Sequence, residues 1–126
     1  MKDIYLYGAP SEEMEKFKAM ANKAFAERKF QESLEFYEKA LRIPNLSDEA
    51  LGTLYSNRSA AFLELNQLEN SYADAKLAQM LRPNWLRAYE RKGKALLAMK
   101  KYEKAIRGIH IVSVFSNCSI RYWSCP

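Results

Sequence analysis

The chain has 126 residues, enough for one domain with a modest core. Hydrophobic residues make up 48% and charged residues 28%, which argues against disorder, and the net charge of +5 favours acidic partners without making a polybasic tail. Gly 4 and Pro 4 count against a turn-rich β-sandwich or barrel, while His 1 and Cys 2 leave little for a Cys/His metal site or a nucleophilic triad. An α-helical module is therefore expected, with no enzymatic activity, metal or cofactor.

Residues 1–10 read as an N-terminal extension. MKDIYLYGAPSEE carries a Lys, an early Asp and a short apolar patch, and lacks the apolar core of a secretory signal. No stretch approaches the ~18 apolar residues of a membrane span. Both cysteines, Cys118 and Cys125, lie at the end of the chain, so a disulfide framework is not expected and reducing cytoplasm is the expected setting.

Ser11 with Glu12 and Glu13 predicts an N-cap and an acidic first turn. Phe17, Met20, Ala21, Ala24 and Phe25 follow with the spacing of an amphipathic helix. A break is expected at 27–29, then a second helix on the stripe Phe30, Leu34, Tyr37 and Leu41, stopped by Pro44 and Asn45. The pattern recurs. Tyr55 and Tyr89 head two segments that align without a gap, 34 residues apart, and Phe17 heads an earlier copy 38 residues before Tyr55. Four extra residues then fall in the 43–51 linker, and Arg82-Pro83-Asn84 closes the second copy. Helix pairs repeated at this period describe an all-α α-solenoid.

These residues resemble the tetratricopeptide repeat. The first aromatic is Phe17, Tyr55 and Tyr89; the small residue where paired helices touch is Ala21, Ser59 and Gly93. The turn-proximal apolar residue is Phe30, Leu68 and Tyr102; the small residue on the second helix is Ser33, Ser71 and Ala105. The later small or apolar position is Ala40, Ala78 and Val112, with Pro83 as the closing proline. The resemblance covers residues 14–106 and implies three helix hairpins, over 14–47, 52–85 and 86–115, in a domain of residues 11–115.

After Ile106 the chain has no Asp or Glu and is rich in β-branched residues and Ser. Ile106, Ile109, Val112 and Phe115 keep a three-residue spacing, so residues 101–113 are expected to be the second helix of repeat three, burying that stripe. Residues 116–126 show no helix pattern and read as an irregular tail, with no clear capping helix. Three readings of it stand open: a truncated or alternative end, a fold-back in which Tyr122 and Trp123 cover the open face, or self-association through that face.

The first helix of each pair is expected to line a concave groove. Its face would present Glu15, Lys18, Ala19 and Asn22, then Thr53, Ser56, Asn57 and Ala60, then Arg87, Glu90, Arg91 and Lys94. Convergent cations and amides suit a carboxylate, held by a guanidinium fork, an ammonium point charge and neutral donors. Lys18, Asn22, Asn57 and Arg91 resemble the two-carboxylate clamp of chaperone-binding tetratricopeptide domains. Arg87 stands where that clamp usually has Lys. Glu90 is a competing partner for either arginine. Solitary His110 reads as a helix-surface residue, Trp85 as a packing residue rather than a base-stacking one, and Glu35/Lys39 and Glu38/Arg42 as ion pairs on the convex face.

What the resemblance implies is a co-chaperone-like adaptor that docks the acidic C-terminal peptide of cytosolic heat-shock chaperones of the seventy- and ninety-kilodalton classes. The alternative is the interaction module of a larger enzyme or assembly with a non-chaperone partner. Acidic residues interleave with basic ones through Glu103, so nucleic acid is not the expected partner.

Overall fold

The computed structural model describes residues 11–116, with the side chains of 104, 105 and 108–116 excepted. Five helices make up this span: α1 Glu12–Ala26, α2 Phe30–Leu41, α3 Asp48–Glu64, α4 Leu68–Leu81 and α5 Leu86–Ser116. They stack in chain order. α1 pairs with α2 and α3 with α4, while α5 packs on α4 and α3. This is the α-solenoid architecture expected.

Local chemistry explains where the helices begin. Ser11 accepts the Met14 backbone N–H at 3.2 Å, and Ser47 accepts that of Ala50 at 3.1 Å. Acidic residues fill both first turns, beside the positive end of each helix dipole. The four extra linker residues largely become helix. α3 starts at Asp48, one turn before the aligned repeat, after a turn at Pro44–Asn45 in which Asn45 takes a left-handed φ of 62°.

The two hairpin turns are built alike. Arg28 and Asn66 take left-handed φ values of 62° and 60°. Lys29 N–H bonds to the Ala24 carbonyl at 2.8 Å and Arg28 N–H to that of Phe25 at 2.9 Å. Gln67 and Asn66 repeat this on Phe62 and Leu63, at 2.9 and 3.0 Å. This Schellman pattern satisfies the last carbonyls and reverses the chain.

Inside each pair a serine closes the gap between helices. Ser33 Oγ donates to the Ala21 carbonyl at 3.0 Å, and Ser71 Oγ to the Ser59 carbonyl at 2.9 Å, with Ser59 Oγ returning a bond to the Ser71 carbonyl at 2.7 Å. The small residues at these contacts let the backbones approach. Around them Met14, Ala21, Tyr37, Ala40 and Leu54 form the core. The second pair adds a nearly buried ion pair. Asp74, 4% exposed, takes two bonds from Arg58 at 2.7 and 2.9 Å, and the guanidinium lies against the Tyr55 and Phe62 rings. Bonding to Asp74 raises the Arg58 pKa, whereas burial raises that of Asp74. Such a pair is costly to desolvate, and breaking it by removing one partner costs about 3–5 kcal/mol.

The third unit departs from the expected hairpin. α5 runs 31 residues without a break, so the expected turn near Lys100 and the separate helix over 101–113 are one rod with the helix before them. Helix propensity does not account for this, because Ala26-Glu27-Arg28-Lys29 at the aligned places are equally strong helix formers and still turn at Arg28. One sequence difference stands out: Ala105 is found where Ser33 and Ser71 supply the hydroxyl that ties the other pairs. Gly93, expected at a helix–helix contact, has no atom of another helix among the described residues within 4 Å of where a Cβ would sit. Ile106, expected in a buried stripe, is 60% exposed. The expectations for Ile109, Val112, Phe115 and His110, and those for residues 1–10 and 117–126 with Tyr122, Trp123 and both cysteines, lie outside the described side chains and residues.

Candidate functional site

α1, α3 and α5 bring their inner faces together over one cleft of about 250 Å³, lined by Asn22, Phe25, Tyr37, Asn57, Ala60 and Arg87. Three of the five sequence-predicted site residues, Asn22, Asn57 and Arg87, therefore share it. Asn57 Nδ2 donates to Asn22 Oδ1 at 3.4 Å across the two helices. Asn22 Oδ1 also accepts a short hydrogen bond from the Tyr37 hydroxyl. Both amides thus keep donors to offer: Asn22 uses its oxygen alone, and Asn57 one of its two amide N–H groups.

Arg91 stands one turn after Arg87 on α5. Its Nε is buried and has no hydrogen-bond partner among the described residues. Burial lowers its pKa, and neighbouring Arg87 lowers it further, against the opposing pull of Tyr37 and Glu90. An arginine stays charged under any such shift, so the meaning is a half-buried cation lacking the neutralisation it needs. Glu90 forms no ion pair with Arg87 or Arg91 among the described residues, although it stands beside both. Lys18 is three-quarters covered and bonds Glu15 at 3.1 Å, one turn back on α1. That pair is exposed on the Glu15 side and correspondingly weak. The structure does not bring Lys18 or Arg91 into the lining of the cleft itself; both sit on the helices that form it.

Within the predicted concave face, Ser56 and Ala60 are buried on α3, beside the cleft that Ala60 lines. Two residues of the cleft were read from sequence as core alone. Tyr37 belongs to the apolar stripe of α2, yet its hydroxyl reaches Asn22; a tyrosine in an apolar stripe carries that signal, since its polar tip requires a partner. Burial pushes its pKa up to about 12. Phe25 closes the first helix stripe and contributes apolar wall.

Arg82 is a second residue that sequence reasoning passed over. Its guanidinium stacks on the Trp85 ring at 3.8 Å and donates to Thr53 Oγ1 at 2.7 Å, while its stem fills the space left by Gly52. It fastens the corner between α4 and α5 to α3 and so fixes where α5 enters the groove. Trp85 is thereby a packing residue, as expected. On the convex side Arg42 pairs with Glu38 at 2.8 Å as predicted, but Lys39 lies over the Phe36 ring instead of pairing with Glu35.

No family model matches the chain. Solved structures do. The Sgt2 TPR domain from Aspergillus fumigatus superposes with a TM-score of 0.67 at 33% identity, over 75% of this chain and 60% of that one. The chain is a tetratricopeptide repeat domain. The first TPR of Spaghetti (RPAP3), solved bound to the HSP90 peptide SRMEEVD, matches this repeat domain with a TM-score of 0.66 at 28% identity, over 77% of this chain and 76% of that one. Among curated sequences, the Hsp70/Hsp90 co-chaperone CNS1 of Saccharomyces cerevisiae is 30% identical over 105 residues, 83% of this domain's chain and 27% of the relative. The chain spans between 15% and 55% of the length of the first curated relatives it matches. Among the described residues no helix of the repeat domain is long and apolar enough to cross a membrane, and no cluster of His, Cys, Asp or Glu has the makings of a metal site.

Proposed function

We propose that this domain is a peptide-binding adaptor of the co-chaperone type, which docks the acidic C-terminus of seventy- and ninety-kilodalton heat-shock chaperones in its groove. The observation that carries the reading is the Arg91 guanidinium: half-buried beside Arg87, with an N–H that has no partner among the described residues. A carboxylate held beside Arg87 supplies the counter-charge that this pair of guanidinium groups lacks. Asn22 and Asn57 hold the terminal carboxylate with amide N–H groups, and Lys18 joins them by exchanging Glu15 for the ligand. Arg87 and Arg91 take an acidic side chain or main-chain carbonyls. The printed descriptions of CNS1 and of the RPAP3 complex supply the chaperone part of the proposal. The domain performs no catalysis in this reading and works in the cytoplasm.

Truncating one partner of a desolvated charged contact costs roughly 2–5 kcal/mol. Arg91→Ala and Lys18→Ala are each expected to weaken binding of an acid-ended chaperone peptide at least about tenfold, which is ~1.4 kcal/mol. Calorimetry showing unchanged affinity in both variants contradicts the assignment. A second reading, the interaction module of a larger enzyme or assembly, is favoured by the small share of its relatives that the chain spans. It predicts that ligands without a free acidic terminus bind as well.

A further inference from the structure

The positive charge of this chain is concentrated on one helix. α5 carries eight Lys and Arg against two Glu, an excess of six, which is more than the whole chain's +5. Helical spacing sorts these cations. Arg87, Arg91, Lys94 and Lys101 follow at i, i+4, i+7 and i+14, so they share one face of α5, the face from which Arg87 lines the cleft. Ala98, with only a methyl side chain, stands between the last two on that face. Lys94 and Lys101 are exposed and form no ion pair among the described residues, whereas Lys18, Arg42, Arg58 and Arg107 each hold a carboxylate. The unbroken α5 makes this possible. A hairpin turn at Lys100 would carry Lys101 off this face.

We propose that Lys94 and Lys101 extend the acid-binding face beyond the clamp, so that the preferred ligand carries further acidic residues upstream of its acidic C-terminus. This rests on the groove holding a terminal carboxylate. At 1.5 Å per residue, Lys94 lies about 4.5 Å and Lys101 about 15 Å along α5 from Arg91. An extended peptide advances ~3.3 Å per residue. For a peptide laid along α5, Lys101 meets a side chain about four to five residues before the one that Arg91 holds, and Lys94 meets one nearer the anchor. Exposed contacts of this kind are individually weak and screened by salt. They tune the choice among acid-ended peptides rather than create binding.

The test is calorimetry at low salt with two free-acid peptides that share their last four residues, one with glutamates and one with glutamines over the four positions before them. The glutamate peptide is expected to bind the wild-type chain about three- to tenfold more tightly. In the Lys94→Gln/Lys101→Gln double variant that preference disappears while the glutamine peptide binds as before. Circular dichroism of the variant checks that α5 is intact, and two exposed side chains make that the expected result. Equal wild-type affinities for the two peptides overturn the inference, as does a preference that survives in the double variant. Amidating the glutamine peptide separates the two readings: a loss of binding upholds the clamp whatever the lysines do, and no loss overturns both. A single-stranded RNA that binds as tightly as the glutamate peptide, and loses binding in the double variant, reassigns the face to nucleic acid.

Discussion

Tyr37 shows how one side chain can serve core and groove together. Its ring fills the contact between α1 and α2, being 2% exposed, and its hydroxyl orients Asn22 at the cleft. Burial raises its pKa from 10 to about 12. The unfolded chain releases that proton near pH 10, while the folded chain keeps it until about 12. Stability is therefore untouched below pH 10 and falls as pH climbs through this window, by up to roughly 3 kcal/mol. Ultraviolet titration of tyrosinate should show a late-ionising tyrosine that is absent in Tyr37→Phe. Ionisation of every tyrosine near pH 10 in the folded chain contradicts this. Asn22, Asn57 and Arg87, which share the cleft, were legible from sequence because helical spacing puts them on one face of the first helix of each pair. Tyr37 and Arg82 were not, because each acts through a contact between helices that spacing alone does not reveal.

At the scale of elements, the first two hairpins were legible in nearly every part. Ser11 caps α1, Leu34 and Tyr37 of the α2 stripe are buried with Phe30 and Leu41 partly so, and the first turn falls where the pattern broke. The third unit was not, for a reason local to it. A repeat alignment records which positions match and is silent on whether a turn closes. Closure depends on a left-handed residue, a hydroxyl at the position of Ser33 and Ser71, and an apolar face to cover. Lys100 stays helical and Ala105 offers no hydroxyl, so the apolar face that a hairpin would cover, with Tyr89, Leu96 and Leu97, is left 45%, 45% and 56% exposed. Gly93 probes this directly. With open space around it, Gly93→Ala should stabilise the domain by about 0.5–1 kcal/mol through helix propensity. Chemical denaturation showing a clear loss of stability instead would mean that another helix packs against that backbone.

At the scale of the molecule, charge and architecture point the same way. Five stacked helices offer one inner face, and three of them line a cleft there with donors: Asn22 from α1, Asn57 from α3 and Arg87 from α5. The serine ties and the Arg58–Asp74 pair hold each helix pair together, Arg82 fastens the α4–α5 corner to α3, and the Asn57–Asn22 bond joins α3 to α1, so these donors stand together without the ligand. Preorganisation of this kind lowers the ordering cost of binding. Central to the proposed function is recognition of a peptide's terminal carboxylate by the groove. Its most direct test is a calorimetric titration of the wild-type domain with one acid-ended chaperone peptide in two forms, free acid and C-terminal amide. The amide is expected to bind at least about tenfold more weakly, a difference of ~1.4 kcal/mol. Equal affinities for the two forms would contradict it.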